Sequence, residues 1–85
     1  MEQPLRWTVV RPTKESVYGK YPMIAMELMK RDTDFIIRTK TYINEHDIDP
    51  HMREMKLEPP FELTPEWDKF IARCQRTVDG IYKNH

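Results

Sequence analysis

The most regular alternation of apolar and polar positions lies at the end of the chain. Trp67, Phe70, Ile71, Cys74, Val78, Ile81 and Tyr82 recur at three- and four-residue steps. At about 3.6 residues per turn, that spacing gathers them on one side of a helix. Asp68, Lys69, Arg73, Arg76 and Asp79 fall mainly on the other side. Thr64 suits an N-cap, Pro65 the first helical position, and Glu66 the positive end of the helix dipole. The pattern predicts an amphipathic helix over residues 64–83. Its bulky stripe must be covered by the rest of the chain or by a partner.

The pattern upstream is less regular. Leu5, Trp7 and Val9 alternate in a Thr- and Val-containing segment bracketed by Pro4 and Pro12, which predicts an extended arm anchored by Trp7. Thr13 to Tyr21 is polar, with Gly19 as a breaker, and reads as a loop or a short turn. Pro22 opens Met23-Ile24-Ala25-Met26-Glu27-Leu28-Met29-Lys30-Arg31. Strong helix formers dominate there, and the segment is apolar nearly all round, as in a buried helix. Asp32-Thr33-Asp34 reads as a stop and a new cap. In the stretch that follows, the doublets Phe35/Ile36 and Tyr42/Ile43 stand seven apart, two helical turns, with Thr39 between them. Strict alternation fails at Ile36/Ile37, so the helical reading is taken to about His46. Asp49-Pro50 starts a further short helix to about Leu57, and Pro59-Pro60 forces an extended connector over 58–63.

The fold expected is therefore mainly α: three to four short helices with an extended N-terminal arm. Residues 1–21 form the arm and loop, 22–57 are helical, 58–63 the connector and 64–83 the closing helix. The alternative is an α+β fold with strands near 6–11 and 35–43, paired across a homodimer because two strands need more edges.

Composition bounds this picture. Eighty-five residues make one small domain with a thin core. Hydrophobic residues are 39% and aromatics 11%, as in a globular chain rather than a disordered one. Lys+Arg and Asp+Glu number 14 each, and zero net charge argues against a dedicated non-specific nucleic-acid binder. The charge is uneven along the chain. Residues 1–44 hold 8 basic against 5 acidic residues, and residues 45–85 hold 6 against 9. One cysteine excludes an internal disulfide and suggests a reducing intracellular compartment such as the cytoplasm. Met1-Glu2-Gln3-Pro4 lacks the pattern of a signal peptide. No apolar run approaches the ~20 residues of a membrane span.

Candidate chemistry is sparse. Glu45, His46, Asp47, Asp49, His51 and Glu54 form the densest group of ligand-type residues. His46 and His51 are five apart across a proline, however, unlike the i, i+4 pair of a metal-binding helix. The group reads better as a solvated turn, with no metal and no cofactor expected. Cys74 sits on the apolar stripe and reads as a buried thiol rather than a nucleophile. Ser16 is the lone serine and has no nucleophile-elbow frame around it. Thr64-Pro65 matches a proline-directed phosphorylation pattern, although capping suffices to explain it.

Lys14, Tyr18, Lys20, Tyr21, Lys30, Arg31, Arg38, Lys40 and Tyr42 interleave basic and aromatic character, a composition that holds phosphates and stacks bases. Met23, Met26 and Met29 at three-residue spacing, with Met52 and Met55, suggest an adaptable apolar surface.

The functional expectation is a non-catalytic interaction protein, a small subunit or regulator. It would dock on another protein, or on a second copy of itself, through Trp7, Met23, Met26, Met29, Phe35 and Tyr42. The alternative is a nucleic-acid-contacting module using Arg31, Arg38, Lys40 and Tyr42. A third class, a metal or acid-base site, would use His46, Asp47, Asp49 and His51.

Overall fold

The computed structural model describes residues 2–13 and 21–83. Lys14, Ser16, Tyr18, Gly19 and Lys20, invoked above, lie outside the described residues. Four strands, β1 (Glu2–Val10), β2 (Met23–Arg31), β3 (Asp34–Tyr42) and β4 (His51–Lys56), precede one helix, α1 (Leu63–Lys83). The strands form a single antiparallel sheet in the order β1-β2-β3-β4.

The mainly α expectation is overturned: the protein is mostly antiparallel sheet, and "helical" describes its last quarter alone. The segments read as helices at 22–31, 35–46 and 50–57 are β2, β3 and β4. The N-terminal arm is a full edge strand. The α+β alternative also lacked two strands, β2 and β4. Nor does it need a homodimer, because β1 and β3 both pair with β2 inside one chain.

Burial on both faces of β2 explains the misreading. Ile24, Met26 and Leu28 alternate with half-buried Met23, Ala25 and Glu27, and Met29 is buried on the second face. A strand flanked on both sides and covered on both faces loses the clean alternation of a half-exposed one. Pairing with a strand on either side then overrides the helix propensity of Met, Ala, Glu and Leu. The Ile36/Ile37 doublet has the same cause. Ile37 belongs to the helix-side core, while Ile36 pairs with Met29 on the opposite face. Asp32-Thr33 does break the chain, but as a two-residue hairpin turn closed by Arg31 and Asp34. Asp32 adopts φ 57° there, a left-handed conformation that Asp tolerates better than most side chains.

The core sits between α1 and one face of the sheet. Val10, Ile24, Met26, Leu28, Ile37 and Leu57 meet Trp67, Cys74 and Val78, with Phe35, Phe61, Leu63, Phe70 and Ile71 packed around them. The helix backbone approaches β1 and β2 but neither β3 nor β4. Two polar contacts strap it along β1. Near its start, Arg6 Nη2 donates to Thr64 Oγ1 (3.1 Å). The helix begins one residue before the expected cap, and Thr64 spends its hydroxyl oxygen on this contact. Near its end, Asp79 accepts from Thr13 N and Thr13 Oγ1 (both 2.8 Å). Gln75 Nε2 also donates to the Arg11 carbonyl (2.8 Å). Arg6 and Thr13 are seven residues apart, about 23 Å of extended chain. Thr64 and Asp79 are fifteen apart, about 22.5 Å of helix. The two spans match, so one helix lies along one edge of the sheet without slack.

This packing predicts a sharp contrast between two variants. Leu28→Ala, at 1% exposure, is expected to cost about 3 kcal/mol. Trp7→Ala, on the uncovered face, is expected to cost less than about 0.5 kcal/mol. Urea unfolding of both proteins measures the difference.

Candidate functional site

The sheet face turned away from α1 is built by strand register. Four cross-strand rows carry it: Val9, Ala25, Lys40 and Met52; Trp7, Glu27, Arg38 and Glu54; Pro4, Met29, Ile36 and Lys56; and Glu2, Arg31 and Asp34. Met23 and Tyr42 close one end of this face. Among the described residues, no helix or strand packs on it. Trp7 is 74% exposed and Met52 52% exposed.

One residue from each strand joins an ion cluster on this face. Arg31 Nη2 pairs with Glu2, and Arg31 Nε donates to Glu2 Oε1 (3.1 Å). Arg31 Nη2 also reaches Glu54 Oε2 (3.0 Å). Arg38 Nη2 lies 3.0 Å from Glu54 Oε2 and 3.3 Å from Glu2 Oε1. Two guanidiniums and two carboxylates therefore link β1, β2, β3 and β4. Met29 and Ile36, 2% and 6% exposed, share this face with the cluster. The hydrogen bond from Arg31 holds the Glu2 carboxyl below its ordinary range, and that from Arg38 does the same for Glu54. Lys56 Nζ and Asp34 Oδ1 add a looser pair at 3.5 Å.

The residues expected to form the protein-binding surface divide between the two faces. Trp7, Met23 and Tyr42 stand together on the open face. Met29 is on that face but buried. Met26 is fully buried in the core against α1 and has no surface to offer. Phe35 lies on the helix side, edge-on to Phe61 at 5.7 Å between ring centroids. Three-residue spacing grouped Met23, Met26 and Met29 on a helix. On a strand, the same spacing sends Met26 to the opposite face.

The four nucleic-acid candidates, Arg31, Arg38, Lys40 and Tyr42, all share the open face. Arg31 and Arg38 are already matched by Glu2 and Glu54. The four cations of the face (Arg31, Arg38, Lys40, Lys56) are balanced by four carboxylates (Glu2, Glu27, Asp34, Glu54).

The metal candidates do not converge. Asp47 Oδ2 accepts from Ile43 N (3.1 Å), and Asp47 Oδ1 accepts from Asp49 N (3.3 Å). Asn44 Oδ1 caps His46 N (2.8 Å). These bonds shape the β3–β4 loop. His46 pairs with neighbouring Glu45 (3.3 Å), while His51 is on β4, facing the helix side. Among the described residues, no three His, Cys, Asp or Glu side chains are grouped to hold a metal ion. Burial pushes the Cys74 thiol above its ordinary value, with nearby Arg73 a smaller opposing influence. That is the reverse of an activated nucleophile. Among the described residues, no helix is long and apolar enough to cross a membrane.

Sequence reasoning missed Glu2 and Glu54 as members of this face, and left Val9 and Met52 out of the partner-binding set. Their only signal is register, which is set by strands distant in the chain.

Acid exposes the role of the carboxylates. Glu2, Glu54 and Asp79 all have folded-state values below their ordinary ones, Asp79 chiefly through the hydrogen bond from the Thr13 backbone amide. Their contribution is complete at neutral pH, where both folded and unfolded forms are ionised. It is lost as pH falls below about 4, because the unfolded chain takes up protons first. Urea midpoints measured down to about pH 3 should fall with acid, and the fall should be shallower in Glu54→Gln than in the wild type.

No family model, curated protein or solved structure matches the chain.

Proposed function

We propose that the chain is a non-catalytic docking domain, a small subunit or regulator that binds another protein through the open face of its sheet. The observation that carries this reading is Trp7: a large, rigid aromatic, mostly exposed, on a flat face whose charges cancel. Val9 stands beside it on β1, and Met23, Tyr42 and Met52 supply further partly exposed apolar area toward the same end of the face. The Arg–Glu cluster lies toward the other end. Exposed aromatic and Met side chains beside charged ones are the composition of a protein interface.

The dimensions support a modest contact. Four strands at about 4.8 Å spacing and nine residues at about 3.3 Å each give roughly 19 × 30 Å, or about 570 Å². Standard interfaces bury about 800 Å² per partner, so this face suits a reversible association. The co-location of Arg31, Arg38, Lys40 and Tyr42 favours the nucleic-acid reading up to a point. A phosphate would have to displace Glu2 or Glu54 from the two arginines, and the balanced charge of the face gives it no long-range attraction.

Affinity capture from extracts of the source organism tests the proposal. The wild type and Met26→Leu, altered only in the core, should retain the same protein. Trp7→Ala should bind it about 30-fold more weakly, the roughly 2 kcal/mol of a hot-spot aromatic. Equal retention by Trp7→Ala, or salt-sensitive binding of single-stranded nucleic acid at about 50 mM salt, would count against it.

A further inference from the structure

Because α1 rests on β1 and β2, a trough remains between its other flank and the helix side of β3 and β4. It is open to solvent on one side and offers about 260 Å³. Ile37, Met55, Phe70 and Cys74 provide apolar walls, and Arg53 and Arg73 are the cations that line it. Arg53 makes no ion pair among the described residues. The Arg73 guanidinium lies over the Phe70 ring, 5.4 Å from its centroid, and likewise has no carboxylate partner among the described residues. The one acidic residue lining the trough is Glu54, whose carboxylate is held by Arg31 and Arg38 on the other face of the sheet. On the open face every arginine is neutralised. Here two arginines stand without counter-ions beside an apolar wall.

We infer that this trough binds a small amphiphilic carboxylate. The head group meets Arg53 and Arg73, and a short apolar body lies against Met55, Phe70 and Ile37. Guanidinium forks match carboxylates in charge and geometry. At the roughly 30 Å³ that one water occupies, the space takes about nine waters. This size fits a short-chain acid and excludes a folded partner. The site is on the face opposite Trp7 and is independent of the docking function.

Octanoate is the probe, with amide chemical shifts as the readout. Saturable shifts confined to residues 37–41, 51–55 and 70–77 are expected at millimolar octanoate. The double variant Arg53→Gln/Arg73→Gln and the neutral analogue 1-octanol should each bind at least about tenfold more weakly. Both arginines are exposed and without ion-pair partners among the described residues, and an unchanged urea midpoint of the variant checks that it retains the fold. Octanoate should also slow alkylation of Cys74 in the wild type, and Trp7→Ala should leave octanoate binding unchanged. The inference is overturned by absence of saturation, by equal binding of octanol, or by shifts centred on Trp7. Tighter binding of the peptide acetyl-Gly-Gly-Leu than of octanoate would also overturn it, because the occupant would then be a chain terminus.

Discussion

The structure depends on one contact: the apolar stripe of α1 laid along β1 and β2. Trp67, Cys74 and Val78 are buried against the sheet, and Val10, Ile24, Met26 and Leu28 are buried in the same cluster. The helix is held in place at both ends by Arg6–Thr64 and Thr13–Asp79, whose separations agree between extended strand and helix. A helix about 10 Å wide covers about half of a four-stranded sheet. Three surfaces follow from that shortfall: a covered half-face, an uncovered half-face with a trough, and a second face on which Trp7 and Met52 are exposed while Met29 and Ile36 are buried.

Each uncovered surface carries a different electrostatic solution. On the open face, Glu2, Arg31, Arg38 and Glu54 close on one another, and one member comes from every strand. Isolated surface pairs contribute little to stability, but a connected network orders several side chains together. Its other consequence is neutrality, which leaves the face without long-range attraction for either sign of charge. In the trough, Arg53 and Arg73 have no carboxylate partner among the described residues. The edge strand β4, exposed at every position, separates these two environments. It is short and carries Arg53, Glu54 and Lys56, features that discourage edge-to-edge aggregation.

The sequence revealed those parts whose determinants are local. The stripe from Trp67 to Tyr82 has its own period, and its helix is legible without any knowledge of the rest. Asp32-Thr33 was legible as a break, though which elements it separates was not. β2 was not legible, because residues 23–29 are good helix formers and apolar on both faces. Only β1 and β3, paired from either side, make them a strand. Ile36/Ile37 violated alternation because both sheet faces are dry at that point, one under α1 and one beside the ion cluster. The site divides in the same way. Trp7 stood out by residue type alone. The burial of Met26 and the commitment of Arg31 and Arg38 to Glu2 and Glu54 depend on register, which joins residues 13 to 29 positions apart.

Cross-strand nuclear Overhauser contacts within residues 23–31 test the account most directly. It predicts contacts from Met26 to both Thr8 and Thr39, slow amide exchange along β2, and no long-range contact from the Trp7 ring to any residue of α1. Sequential i, i+3 contacts running through Met23–Arg31, as in a helix, would contradict the sheet and every surface derived from it.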